Sequence, residues 1–118
     1  MPMIALGVLS LAAGFGCYVA LPLLDKTRRR SAWIAAIHGM LGLCALAALV
    51  VALQGPARGV ATGVANFGAA AAALLAIAAV LGLTLPLVSR GLVGLLAGIH
   101  AGAAITACLL VLAWTALG

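Results

Sequence analysis

Charged side chains are scarce in this chain of 118 residues: 6% of the residues are charged, and Asp25 is the only acidic one. No carboxylate therefore lies in its long apolar runs, which argues against proton-coupled cation export. A carboxylate pair, a Ser-His-Asp set or a Cys-His pair at a suitable depth cannot be assembled either, so catalysis by side chains is not expected. Redox chemistry, if there is any, must come from a cofactor.

Cysteine offers no metal site. The chain has three cysteines, and Cys17, Cys44 and Cys108 are scattered without ligand spacing. At 100° per residue, Cys44 and Cys108 point about 120° and 80° away from the histidine of their own helix. A closed zinc or copper site requires three or four ligands. We interpret the three cysteines as small buried hydrophobic residues.

Apolar residues dominate the sequence. They make up 68% of the chain, and the mean hydropathy is +1.41. Four apolar runs reach the roughly 20 residues that a membrane-spanning helix requires. The predicted fold is therefore an all-α integral membrane protein, a single domain over residues 1–118. It is a four-transmembrane-helix bundle with helices at about 3–24, 32–53, 60–88 and 91–117.

The basic residues predict an orientation. Only Arg58 would lie on one side of the membrane, and the other side would hold Lys26, Arg28, Arg29, Arg30 and Arg90. This asymmetry predicts a cytoplasmic loop at 25–31 and periplasmic termini, in a bacterial inner membrane. Contact with anionic lipid accounts for the basic loop, so no nucleic-acid partner is expected. Trp33 and Trp114 are predicted to be aromatic anchors at the inner and outer interfaces.

The two histidines lie in similar local sequences, Ala-Ala-Ile-His-Gly at 35–39 and Ala-Gly-Ile-His-Ala at 97–101. A Leu-Pro-Leu segment precedes each, at 21–23 and 85–87. This recurrence predicts two tandem αα-hairpin repeats, related by a pseudo-two-fold axis along the membrane normal. The second and fourth helices then run parallel, and their histidines face each other.

The depth and the surroundings of the histidines agree with this arrangement. His38 lies about 10 Å from the inner start of its helix and His100 about 15 Å, at 1.5 Å per residue. The residues that share their helix faces are mostly small and include Gly42 and Ala104. An ionisable side chain in an apolar run is costly, which makes each histidine a functional-site candidate. The small faces leave room for a flat ligand.

In the layout of its two Ile-His helices, the chain resembles small four-helix b-type cytochromes of membranes, although larger members usually hold two haems. The resemblance implies one haem b with His38 and His100 as axial ligands, beside Gly42 and Ala104. Imidazole ligation from both sides suits electron transfer. The haem propionates cannot stay unpaired in hydrocarbon, so we expect Arg30 or Arg90 to contact them.

One haem cannot carry electrons across about 30 Å of hydrocarbon. We therefore expect an electron-transfer subunit rather than a stand-alone enzyme, exchanging electrons with a quinone or a partner redox protein, in a larger redox complex or a homo-oligomer. Two alternatives stay open. The histidines of a structural or assembly subunit would only form hydrogen bonds across the bundle, and those of a small transporter or proton-relay protein would carry protons.

Overall fold

The computed structural model describes residues 2–24 and 31–118, except for the side chains of residues 23, 24 and 90. These residues form an all-helical structure in which four helices are long and apolar enough to cross a membrane. The helices are α1 (Pro2–Leu24), α2 (Ala32–Leu53), α3 (Phe67–Thr84) and α4 (Arg90–Leu117), and a 3-10 turn (Leu85–Leu87) follows α3.

The third helix begins at Phe67, seven residues later than the predicted start at residue 60. Gly59 and Gly63 have positive φ angles of 70° and 77°, a left-handed conformation that interrupts a helix and that glycine adopts without strain. The amide of Val64 donates to the Gly59 carbonyl at 2.9 Å, which closes a compact turn. Residues 54–66 therefore form a folded connection between α2 and α3.

The prolines near the ends of α1 and α3 are placed differently. The first helix continues two residues beyond Pro22, whereas α3 ends at Thr84 and Pro86 lies in the 3-10 turn. A proline in the last turn removes one hydrogen bond without preventing the final residues from staying helical. At the start of α2, the hydroxyl oxygen of Ser31 accepts a hydrogen bond from the amide of Ile34 at 3.4 Å, as an N-cap does.

The four helices pack as two hairpins. Helix α1 packs most extensively on α2, and α3 on α4. Contacts of α2 with α3 and of α1 with α4 join the hairpins into a bundle measuring 50 × 22 × 20 Å. Among the described residues, α2 and α4 do not pack directly on each other. The two histidine helices therefore lie on a diagonal of the bundle.

The buried core occupies only one half of the bundle. It lies at the end that carries the 54–66 connection, and Leu49 and Val111 are its largest fully buried side chains. The core reaches as far as Ala12 and Ala78, which are each 3% exposed. No described side chain within 13–44 or 79–106 is buried. The described side chains are thus tightly packed at one end of the bundle, and we call the other end, where none of them is buried, the open half.

Trp114 belongs to this core, and its prediction as an interfacial anchor is wrong. Its side chain is 3% exposed, and a Cβ added to Gly68 would lie 3.0 Å from its ring. The absence of a side chain at Gly68 is what lets the indole pack against α3. Trp33, in contrast, is 81% exposed in the first turn of α2, where a membrane-facing aromatic is expected.

Candidate functional site: the paired histidines

The two histidines meet inside the bundle. The ring centres of His38 and His100 lie 5.8 Å apart, with an angle of 74° between the ring planes. Both residues are half-buried. They come from the diagonal helices α2 and α4, which do not pack on each other within the described residues. Only the two side chains approach each other across the space between these helices. The difference of about 5 Å in predicted depth does not keep the rings apart.

Each imidazole binds the backbone of the neighbouring helix in its own hairpin. Nδ1 of His38 lies 2.8 Å from the carbonyl oxygen of Ala12 in α1, and Nδ1 of His100 lies 2.7 Å from the carbonyl oxygen of Ala78 in α3. The same type of contact thus occurs in both hairpins.

A glycine lies beside each of these carbonyl groups. A Cβ on Gly16 would lie 2.9 Å from Cε1 of His38, and a Cβ on Gly82 would lie 3.2 Å from Cε1 of His100. In an α-helix, the amide of residue i bonds to the carbonyl of residue i−4. Gly16 and Gly82 are therefore at the positions that can give an imidazole access to a helix carbonyl. We call each carbonyl-glycine pair a histidine seat: Ala12 with Gly16 on α1, and Ala78 with Gly82 on α3.

The seats determine which ring nitrogen carries the proton. A carbonyl oxygen only accepts hydrogen bonds, so Nδ1 of each histidine must be the donor. In the neutral ring, Nε2 is then unprotonated and keeps its lone pair. Within the described part of the chain, neither Nε2 has a hydrogen-bond partner. Each neutral ring thus keeps one nitrogen lone pair that no described group uses, and metal-binding histidines commonly donate Nδ1–H to a carbonyl in the same way.

The other predicted site residues are placed less completely. Gly42 and Ala104 are half-buried, one turn from His38 and His100 along their helices. A Cβ on Gly42 would meet nothing within 4 Å, so there is open space at that position of α2. Arg30 lies outside the described residues. Arg90 is the first residue of α4, and its side chain lies outside the part of the chain that the structure describes.

The cysteines do not join the site. Cys17 and Cys44 are exposed on the surface of the bundle, so their interpretation as buried residues is wrong, and Cys108 is half-buried. On two apolar helices, an exposed cysteine faces the surroundings as any other small hydrophobic residue would. Among the side chains that the structure describes, no group of three or more His, Cys, Asp or Glu residues could hold a metal ion.

The two seats were not predicted from the sequence. Ala-x-x-x-Gly occurs at 12–16 and again at 78–82, and each copy lies on the helix that precedes a histidine helix. That recurrence is a usable signal in principle. However, alanine and glycine are so frequent in this chain that the pattern is not distinctive without knowing which face of the helix is packed.

Comparisons with protein-family models, with curated proteins and with solved structures found no match for this chain.

Proposed function

We propose that this protein is a membrane-embedded b-type cytochrome, or a cytochrome-like subunit, that binds one haem b through His38 and His100. The observation that carries the proposal is the paired arrangement of the two imidazoles. Each Nδ1 donates to a backbone carbonyl, so each Nε2 is left to bind iron.

The distance between the two rings suits a single metal ion between them. Imidazole nitrogen binds metals such as zinc at about 2.0–2.1 Å. Two rings that bind one ion from opposite sides therefore have centres about 6 Å apart. The 5.8 Å between the centres of His38 and His100 is close to this value.

The number of ligands favours haem over a bare ion. Closed zinc sites use four ligands, and the described residues supply two histidines and no third group nearby. A haem would bring four nitrogen ligands of its own, so His38 and His100 would be the only ligands required from the protein. A haem held by His38 and His100 would supply one-electron redox chemistry, and ligation by two histidines would favour electron transfer over oxygen chemistry.

The open half of the bundle supports the same ligand. The two histidines lie just past the last buried residues of their hairpins, Ala12 and Ala78, on the side where no described side chain is buried. The lower burial in that half favours a flat cofactor there rather than in the core, because displacing packed side chains from a dense core would be destabilising. The histidines would hold the iron, and Gly42 and Ala104 would line the cofactor.

Several wider features belong to the proposal. The recurring histidine seats support a duplicated hairpin with pseudo-two-fold symmetry. Electrons would pass to or from a quinone or a partner redox protein, because one haem does not span the membrane. The proposed location is a bacterial inner membrane, and the excess of basic residues around 25–31 supports a cytoplasmic position for that loop and periplasmic termini. Association in a redox complex or a homo-oligomer would provide the exchange partner.

The test is haem content after expression in haem-replete cells and purification in mild detergent. The wild-type protein should show the split, low-spin spectrum of a six-coordinate haem on reduction, and His38→Ala and His100→Ala should each abolish it. The matched controls are Ile37→Ala and Ile99→Ala, which alter the adjacent side chains, 41% and 48% exposed, and should retain the spectrum. A colourless wild-type protein would contradict the proposal.

A further inference from the structure

We infer that Gly16 and Gly82 are positioning residues, which hold both histidines in the tautomer that leaves Nε2 free. The inference concerns the histidine seats and uses the proposed function only for the identity of the ligand. It predicts that Nε2 of both histidines is unprotonated before any metal binds.

The donor nitrogen of both histidines differs from the one that carries the proton in free histidine. In water, the neutral imidazole of histidine favours a proton on Nε2, whereas a carbonyl at 2.7–2.8 Å from Nδ1 requires the proton on Nδ1 in both His38 and His100. The free energy for this tautomer must come from the hydrogen bond to the seat. A half-buried hydrogen bond in apolar surroundings is strong enough to impose it.

Each imidazole reaches its carbonyl only because residue i+4 of the same helix has no side chain. At Gly16, a methyl group would lie 2.9 Å from Cε1 of His38, too close for the ring to stay where it is. At Gly82, the corresponding distance to His100 is 3.2 Å, so a shift of a few tenths of an ångström would be enough. Alanine should therefore disturb His38 more than His100.

Nearby glycines differ from Gly16 and Gly82 in their surroundings. Gly14 is two residues from Gly16, and Gly102 is two residues from His100, yet a Cβ on either would meet nothing within 4 Å. General requirements for small residues in membrane helices therefore do not distinguish Gly16 and Gly82. Their contact with an imidazole does.

The experiment measures the histidine tautomers in the full-length protein without haem. Protein labelled with ¹⁵N-histidine is purified in detergent at alkaline pH and studied by nitrogen NMR. Both histidines of the wild type should carry the proton on Nδ1. Gly16→Ala should move the proton of His38 towards Nε2 and leave His100 unchanged, and Gly82→Ala should have the converse but smaller effect.

The unaffected histidine in each variant reports that the bundle is folded. Gly14→Ala and Gly102→Ala are the matched controls, and neither should change a tautomer. Alanine favours helix more than glycine does, so the effect of Gly16→Ala cannot be attributed to a weaker α1. Nε2-protonated histidines in the wild type, or no change at His38 in Gly16→Ala, would overturn the inference.

A second measurement separates this inference from the proposed function. On haem addition, the wild type should give the low-spin spectrum, and Gly16→Ala should weaken or lose one axial ligand and shift the spectrum towards the high-spin form. A wild type with the expected tautomers that takes up no haem would refute the cytochrome proposal and support the inference. If the wild type binds haem but the tautomers do not change in Gly16→Ala or Gly82→Ala, the cytochrome proposal is supported and the inference is refuted.

Discussion

The imidazole of His38 lies 5.8 Å from that of His100, centre to centre, although the helices that carry them do not pack on each other within the described residues. Both rings are held from the side, by carbonyl groups of α1 and α3. Contact between the two histidine helices is therefore not what brings the rings together. Each hairpin orients its own histidine, and the packing of one hairpin on the other sets the distance.

This arrangement predicts that the two histidines act as one unit in haem-linked stability. A ligand at 100 times its dissociation constant stabilises the folded state by about 2.7 kcal/mol. His38→Ala and His100→Ala should each remove this increment, and the double variant should remove no more of it. Thermal unfolding in detergent, with and without added haem, measures the increment. An increment that is halved in each single variant would show two independent sites.

The four helices and the approach of His38 to His100 could be predicted from the sequence. Long apolar runs indicate the helices, and a polar side chain stands out within such runs because there are so few. It could not show which face of each helix is packed. Nearly every position is apolar, so lipid-facing and core-facing residues have the same composition. Trp114 illustrates the limit: a tryptophan near a helix end is typical of an interface, and only the missing side chain at Gly68 shows that the indole turns inward.

The start of α3 was missed for a related reason. The segment 60–66 continues the apolar run, so hydropathy extends the helix through it. The evidence against a helix lies in the positions of Gly59, Gly63 and Asn66, residues typical of turns. Hydropathy over a long window averages over these residues, whereas backbone conformation depends on each of them.

Trp114 provides a prediction about stability. Its Nε1 is buried and, among the described residues, has no hydrogen-bond partner. Trp114→Phe removes this unsatisfied donor together with part of the ring, so the two effects should nearly cancel. Trp114→Ala should leave a cavity and cost about 3 kcal/mol. Unfolding in mixed micelles measures both changes.

The matched control is Trp33→Ala, since Trp33 is 81% exposed. A substitution at such a position should change the free energy of unfolding by no more than about 0.5 kcal/mol. A larger loss for Trp33→Ala than for Trp114→Ala would contradict the core position of Trp114.

The connection between α2 and α3 provides another prediction. Gly59 has a φ of 70°, and a Cβ there would collide with Val64. Gly59→Ala should therefore destabilise the protein by about 1–2 kcal/mol from the left-handed conformation alone, and by more from the collision. Gly7→Ala, in an open position of α1, should instead be neutral or stabilising by up to about 1 kcal/mol. Equal effects of the two substitutions, measured by unfolding in mixed micelles, would argue against the turn.

The last prediction concerns the haem propionates. It rests on the proposed function. Two carboxylates in hydrocarbon require partners, and the open half of the bundle leads to the end where Arg30 and Arg90 lie in the sequence. Charge-assisted hydrogen bonds contribute roughly 1.5–3 kcal/mol. Arg30→Gln with Arg90→Gln should therefore weaken haem retention. It should also lower the midpoint potential, because a positive charge near the iron favours the added electron.

Redox titration and haem-loss kinetics measure the two effects, and two controls separate charge from topology. Arg58→Gln removes a charge beside Gly118, at the packed end of the bundle, and should leave the potential unchanged. Arg30→Lys with Arg90→Lys keeps the positive-inside signal and the charge. Insertion should therefore be preserved, and the midpoint potential should change less than in the double Gln variant. If the double Gln variant binds haem with unaltered potential and only its insertion is impaired, these arginines determine topology and the propionates have other partners.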